Sequence, residues 1–337
     1  MRSIVKKVLP KIITDSIIKW RVRRSITELY KYDKRRLLKY TYNVNDHLSM
    51  ENLRAKITFH YHSIEKGLSN ANLRLGFGEK AFKELFWAMD KYVMEGFEVK
   101  DFRFQNAISV INSYVELHRT YGYDVREIES YLKKYQDYLL KENENSGGYM
   151  IIDKATLPNF KELRFSELAF NRHSVRDFGI KEVDDNKIYE AINVAAKSPS
   201  VCNRQSWKVY LIKSTKLIKK VLKQQGGLTG NGDNLKKLLL ITSDKQYMTG
   251  GTERNQTYID GGLYTMSLLY ALESANIATC TLNTSFSLEK EKKIRELLNI
   301  NESEDFIAFV AVGTYPELVK VAKSPRDNYS SFLTVIE

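Results

Sequence analysis

One stretch of this chain, Asn171 to Trp207, restricts its fold and chemistry more than any other. It opens with Arg172, His173, Ser174, Val175 and Arg176, and an extended backbone through them turns Arg172, Ser174 and Arg176 to the same side. Two guanidiniums flanking a hydroxyl suit a phosphate, because each arginine offers a planar pair of donors that stays charged and the serine can fill a remaining oxygen. A short helix follows, with Asp184 or Asp185 as its cap, Ile188, Ala191, Ile192 and Ala195 as its apolar stripe, and Pro199 marking its end. The stretch closes on Ser200, Asn203, Gln205 and Trp207. There the two carboxamides can each donate and accept, as the edge of a planar heterocycle requires.

Read as a pattern, this is Arg-x-Ser-x-Arg-x-Phe, a short helix, then Pro-Ser-x-x-Asn-x-Gln-x-Trp, and it resembles the FMN-dependent nitroreductase family. A lone Arg-x-Ser-x-Arg would mean little, whereas the conjunction over 37 residues is specific. The resemblance extends from about Phe165 to Arg326, roughly half the chain. Thr252 to Gly262 resembles the entry to the family's long dimer helix, Val312 to Pro316 its last strand and turn, and Lys323 to Arg326 its late basic motif.

The resemblance implies an α+β fold, with a central mixed sheet wrapped by helices and built as an intertwined homodimer with FMN at the subunit interface. It implies that Arg172, Ser174, Lys323 and Arg326 hold the FMN phosphate, with His173 nearby through its backbone and Arg176 at the pyrimidine edge. Ser200, Asn203 and Gln205 would bond the ring or ribityl chain. The family's Pro-x-Glu-Gly segment, whose backbone amide faces the flavin, is not matched in letters. Its place reads Thr281, Leu282, Asn283, Thr284, which leaves the backbone at Leu282 and Asn283 as the expected contact. The implied reaction passes hydride from NADH or NADPH through the flavin to a nitro compound, a quinone or a biosynthetic intermediate. The cofactor carries the chemistry, so neither a side-chain general base nor a metal is expected. Two rival readings stay open on the residues alone: a flavin-free scaffold or membrane-docking protein with a degenerate nitroreductase domain, and a flavin oxidase that uses oxygen as acceptor.

The rest of the chain sets bounds on these readings. With 337 residues, 43% of them hydrophobic, it can fill a sizeable core without staples. Only Cys202 and Cys280 are present, which favours a reducing, cytoplasmic setting. No apolar run is long enough to span a membrane, and the N-terminus lacks the apolar core of a signal peptide.

The net charge is +12, but residues 1–40 hold 13 Lys or Arg against Asp15, Glu28 and Asp33, leaving the remainder nearly neutral. That opening reads as a basic amphipathic helix. It is open to packing on the protein itself, to peripheral docking on an anionic membrane at the inner face, or to nucleic acid, for which no recognised motif is present.

From 45 to about 140 the pattern is helical, with segments near 48–64, 79–95, 103–120 and 124–140. A glycine-bearing loop is expected from Glu65 to Gly78, and a polar linker over Lys141 to Gly148. The domains expected are thus a helical extension, 1–150, and an FMN-binding domain, 151–337. His62 and Glu65, one helical turn apart, allow a metal reading, but no further ligand cluster accompanies them. After Trp207, strands are expected at 207–213, 238–243, 278–282 and 306–312, with helices at 215–225, 255–276 and 288–298. Such alternation is compatible with a doubly wound parallel sheet, and here the resemblance decides for α+β. The glycine-rich loop from Gly226 to Gly232 lacks the ending of a phosphate-binding P-loop.

Overall fold

A computed structural model describes residues 11–40, 48–135, 138, 146–228 and 234–337. The helices are α1 (Lys11–Tyr40), α2 (Met50–Leu68), α3 (Glu79–Met94), α4 (Phe102–Thr120), α5 (Arg126–Lys133), α6 (Phe165–Asn171), α7 (Asp185–Ala195), α8 (Thr215–Gln225), α9 (Gln256–Ser274) and α10 (Leu288–Leu298). The strands are β1 (Tyr149–Asp153), β2 (Trp207–Ile212), β3 (Lys237–Asp244), β4 (Ala278–Leu282), β5 (Glu304–Gly313) and β6 (Leu318–Ala322). The architecture is α+β, with an all-helical region ahead of the sheet.

The main sheet has the order β2-β3-β5-β4, and all three pairings are antiparallel. β3 and β5 carry near-continuous apolar runs because they are central and covered on both faces. One face packs Leu239, Ile241, Val310 and Val312 under α7 and α9. The other packs Leu238, Leu240, Phe309 and Ala311 against apolar residues of α8 and α10. The parallel component is a single bridge, Ser174 to Thr279, which lays the Arg-x-Ser-x-Arg segment along the outer edge of β4. β1 and β6 form a separate antiparallel ribbon.

Helix starts follow local capping. The Ser49 hydroxyl accepts the Asn52 amide, Asp101 accepts from Arg103 and Phe104, and Asp184 accepts from Asn186, each satisfying an orphan donor of a first turn. Helices α2 to α5 close on their own core through Leu53, Ile57, Leu85, Phe104 and Tyr114. α2 continues through Leu68, so Glu65 to Leu68, expected in a loop, lie in its last turn. Residues 141–145 of the expected linker, and 229–233 of the glycine-rich loop, lie outside the described residues. Gly147 and Gly148, at the linker's end, are buried. A Cβ on Gly147 would sit 2.6 Å from the Val110 side chain and 2.9 Å from the Asn106 carbonyl, so this place is a close backbone crossing against α4.

α1 docks through its middle. Leu29 and Ile26 lie against Gly251, and Asp33 pairs with Arg254 at 2.6 Å. Ile13, Ile17 and Trp20 are exposed. No helix among the described residues is long and apolar enough to cross a membrane.

Phe178 explains why the basic segment is held so firmly. It is buried against Gly313, where an added Cβ would approach its ring to 2.6 Å, and the next residue, Gly179, donates to the Thr314 carbonyl at 2.8 Å. Gly313→Ala should therefore cost about 1–3 kcal/mol through overpacking. Chemical denaturation would check this, and an unchanged midpoint and slope would refute the packing account.

Candidate functional site

The site is built on the outer edge of β4. Val175 N–H donates to the Thr279 carbonyl at 2.8 Å, and Val175 is fully buried. This pins the segment so that Arg172, Ser174 and Arg176 remain half-buried beside the strand. Beneath them, burial pushes the Cys280 thiol pKa up, while the charges of Arg176, Lys66 and Arg172 pull it back. Three cations from two distant parts of the chain therefore act on one buried sulfur.

The late basic motif arrives at the same place. The His173 imidazole is held below its usual pKa, first by burial and then by the charges of Arg172 and Arg326. Arg172 and Arg326, separated by most of the C-terminal half of the sequence, act on one ring. Lys323 opens the turn that carries Arg326, and Ser324 within it takes a left-handed backbone, φ 48°.

Among the described residues, Arg172, Lys66 and Lys323 have no ion-pair partner, and Arg176 reaches only the Ser174 carbonyl, at 3.4 Å. Other cations among the described residues do meet carboxylates, as Lys208 meets Asp244 and Glu304. Unmatched like charges held together favour an anion between them.

Lys66 is a site residue that the sequence reading did not assign. It sits in the last turn of α2 and remains accessible. The protein around it displaces enough water to lower its pKa, with the Arg176 charge as the second cause. A polar Glu-Lys-Gly run at the end of an amphipathic helix was the only signal available. His62, considered for a metal, instead pairs with Glu65 at 2.8 Å.

Leu282 ends β4 beyond the bridge, and Asn283 follows it. Leu282 is buried, Asn283 is exposed, and the Asn283 carbonyl accepts from Gln225 at 3.2 Å. Leu282 lies three residues past Thr279, about 10 Å along the strand, and Asn283 one residue further.

Ser200, Asn203 and Gln205 are elsewhere. Their loop is knit internally, with Gln205 N–H to the Ser200 hydroxyl at 3.0 Å and the Gln205 amide to the Asn203 side chain at 3.2 Å. Cys202, Asn203 and Gln205 all have positive φ. The Val201 N–H donates to Asp260 at 3.2 Å, near the start of α9, whereas Arg172 acts on Glu273, near its end. Thirteen residues of helix separate them, about 20 Å. The sheet gives the same answer. Trp207 lies opposite Ser243 and so level with Asp305, while Thr279 is opposite Val312, about 23 Å along and 14 Å across. In one chain the two ends of the 171–207 stretch occupy opposite corners of the sheet.

Residues 169–228 match the model of the nitroreductase family. That segment contains both halves of the motif described above. Among solved structures, this chain is similar to a nitroreductase family protein from Streptococcus pneumoniae TIGR4, at 19% identity over 51% of this chain and 100% of that one, TM-score 0.45. A nitroreductase with bound FMN from Desulfitobacterium hafniense DCB-2 aligns at 18% identity over 54% of this chain and 100% of that one, TM-score 0.41. A nitroreductase family protein from Clostridium difficile 630 aligns at 22% identity, covering 45% and 85%, TM-score 0.39. No curated protein matches.

Below the cations, Glu273 is fully buried and accepts the Tyr315 hydroxyl at 2.7 Å. Burial raises its pKa to about 7, while Tyr315 and Arg172 oppose the rise. Because the folded value lies above the ordinary glutamate value of 4.5, the stability linked to this proton is full below about pH 4.5 and lost as pH rises through 7. Glu273→Gln should thus match the parent near pH 4 and exceed it by on the order of 3 kcal/mol above pH 8. Denaturation at the two pH values reads the difference, and an equal offset at both would show that Glu273 does not titrate near 7.

Proposed function

We propose that this chain is an FMN-dependent oxidoreductase taking electrons from NADH or NADPH and passing them to an organic acceptor. The observation that carries the reading is the group of cations without carboxylate partners, Arg172, Arg176, Lys66 and Lys323, beside β4 (residues 278–282). The nitroreductase-family match over residues 169–228 supports it.

The donor set fits the cofactor. Arg172, the Ser174 hydroxyl, Lys323 and Arg326 would hold its phosphate, with His173 contributing through its backbone. Arg176 would lie by the pyrimidine edge, where a fixed cation favours the reduced, anionic ring. Leu282 and Asn283 would supply backbone contacts further along the strand. When bound, FMN supplies two-electron hydride chemistry that no side chain of the chain provides. The residues bind, orient and exclude water.

A ligand that touches both Arg172 and Asn203 requires two copies of the chain, since one copy keeps them about 25 Å apart by strand spacing. We therefore propose a homodimer with FMN at the interface, in which Ser200, Asn203 and Gln205 come from the other subunit. An apolar stripe on α9, made of Ile259, Leu263 and Met266, is exposed and supports this assembly.

The absorbance spectrum of the purified protein, with the released chromophore weighed by mass spectrometry, tests the cofactor. Arg172→Ala should weaken FMN by about 2–3 kcal/mol, roughly 30- to 150-fold, and equal flavin content in the variant would remove Arg172 from the site. Leu263→Glu should shift the mass in sedimentation equilibrium from dimer to monomer and lower bound FMN with it. A parent that sediments as a monomer while holding FMN would refute the two-copy arrangement.

A further inference from the structure

The turn that carries Arg326 is held from both ends by the helical region. At its start, the Lys323 N–H donates to the Gly148 carbonyl at 3.2 Å, and the Gly148 N–H in turn donates to the Glu65 carboxylate at 2.9 Å. Glu65 is fully buried in the last turn of α2 (Met50–Leu68), where His62 also pairs with it at 2.8 Å. At the other end, Arg103 from the first turn of α4 (Phe102–Thr120) pairs with Asp327 at 2.7 Å, across 224 residues of sequence. Both charges also act on the buried Tyr61 hydroxyl, so the pair lies over the helical core.

Asp327 follows Arg326 directly. An uncompensated carboxylate there would draw on the Arg326 guanidinium and repel any anion it binds. Arg103 meets that carboxylate and leaves the turn with a net attraction for negative charge. The pair does two things at once: it fixes the turn, and it masks the one acidic group next to the late cations.

We propose that Arg103 is a positioning residue of the anion site, and that through it the helical region sets the preference for a phosphorylated over an unphosphorylated ligand. This rests on the cofactor reading above, since the phosphate concerned is that of FMN. Arg103 touches Asp327 and not the ligand, so its effect should fall on the phosphate end alone.

The test compares dissociation constants for FMN and riboflavin, by fluorescence titration of the full-length protein. The parent should prefer FMN. Arg103→Ala should lose about tenfold in FMN affinity with riboflavin unchanged. Arg103→Lys should recover part of that loss. Arg103→Ala combined with Asp327→Asn should bind FMN more tightly than Arg103→Ala alone, because the unmasked carboxylate is gone. The variants should keep the parent's far-ultraviolet circular dichroism, so that a change in either affinity is read on folded protein. A parent-like preference for FMN in Arg103→Ala, or an equal loss for both ligands, would overturn the proposal while leaving the cofactor reading intact. A parent that binds neither flavin would overturn both.

Discussion

The backbone hydrogen bond from Val175 to Thr279 is the constraint on which the site depends. It converts a basic loop into a strand-like segment fixed to the edge of β4, and with Val175 buried the side chains on either side must face outward. Without that bond Arg172 and Arg176 would be two of many surface arginines, each free to find a carboxylate. With it they are held half-buried, and Phe178 and Gly179 lock the exit of the segment against Gly313 and Thr314. A fixed position for charge is what separates a binding site from a basic surface.

Holding like charges together has a cost. Two unit charges some 8 Å apart in a partly solvated site repel by on the order of 2 kcal/mol, and here Arg172, Arg176 and Lys66 all act on one thiol while Arg172 and Arg326 act on one imidazole. Packing at Phe178 and the clamps on the late turn offset that repulsion. A bound anion relieves it. Burial lowers the pKa of His173 first, and the charges of Arg172 and Arg326 add to that, since a further proton there would add a positive charge beside two others.

Much of this was legible in the residues. The helix after the basic segment begins at the Asp184 cap and buries Ile188, Ala191 and Ala195 as its periodicity requires, and the apolar runs at 238–243 and 306–312 are central strands. β1 and β6 were not seen, because two five-residue strands forming a ribbon of their own carry too little pattern to stand out from loop. Gly67 suggests a loop from Glu65 to Leu68, yet the helix accommodates that glycine. A Cβ there would meet the Phe77 ring at 2.0 Å, so the residue marks close packing and not a chain break. Above all, sequence order hid the geometry of the 171–207 stretch. Residues bonded through one helix and two turns looked like one cluster, whereas the sheet order puts β2 and β4 at opposite edges. Local spacing carries no information on which edge a strand will take.

The helical region makes close contacts with the sheet-bearing part of the chain. Gly147 and Gly148 are buried at the junction. The Ser109 hydroxyl donates to the Gly147 carbonyl at 3.0 Å, Glu65 receives Gly148, and Arg103 reaches Asp327 near the far end of the chain. A scaffold with a disused flavin domain would gain stability by losing any one of the crowded cations or by placing a carboxylate among them. Instead the one carboxylate that follows Arg326 in sequence is taken up by an arginine from the other half of the protein. The two halves thus share a single electrostatic arrangement, in which the helices supply both a cation, Lys66, and the partner that takes up the acidic neighbour of the proposed anion site.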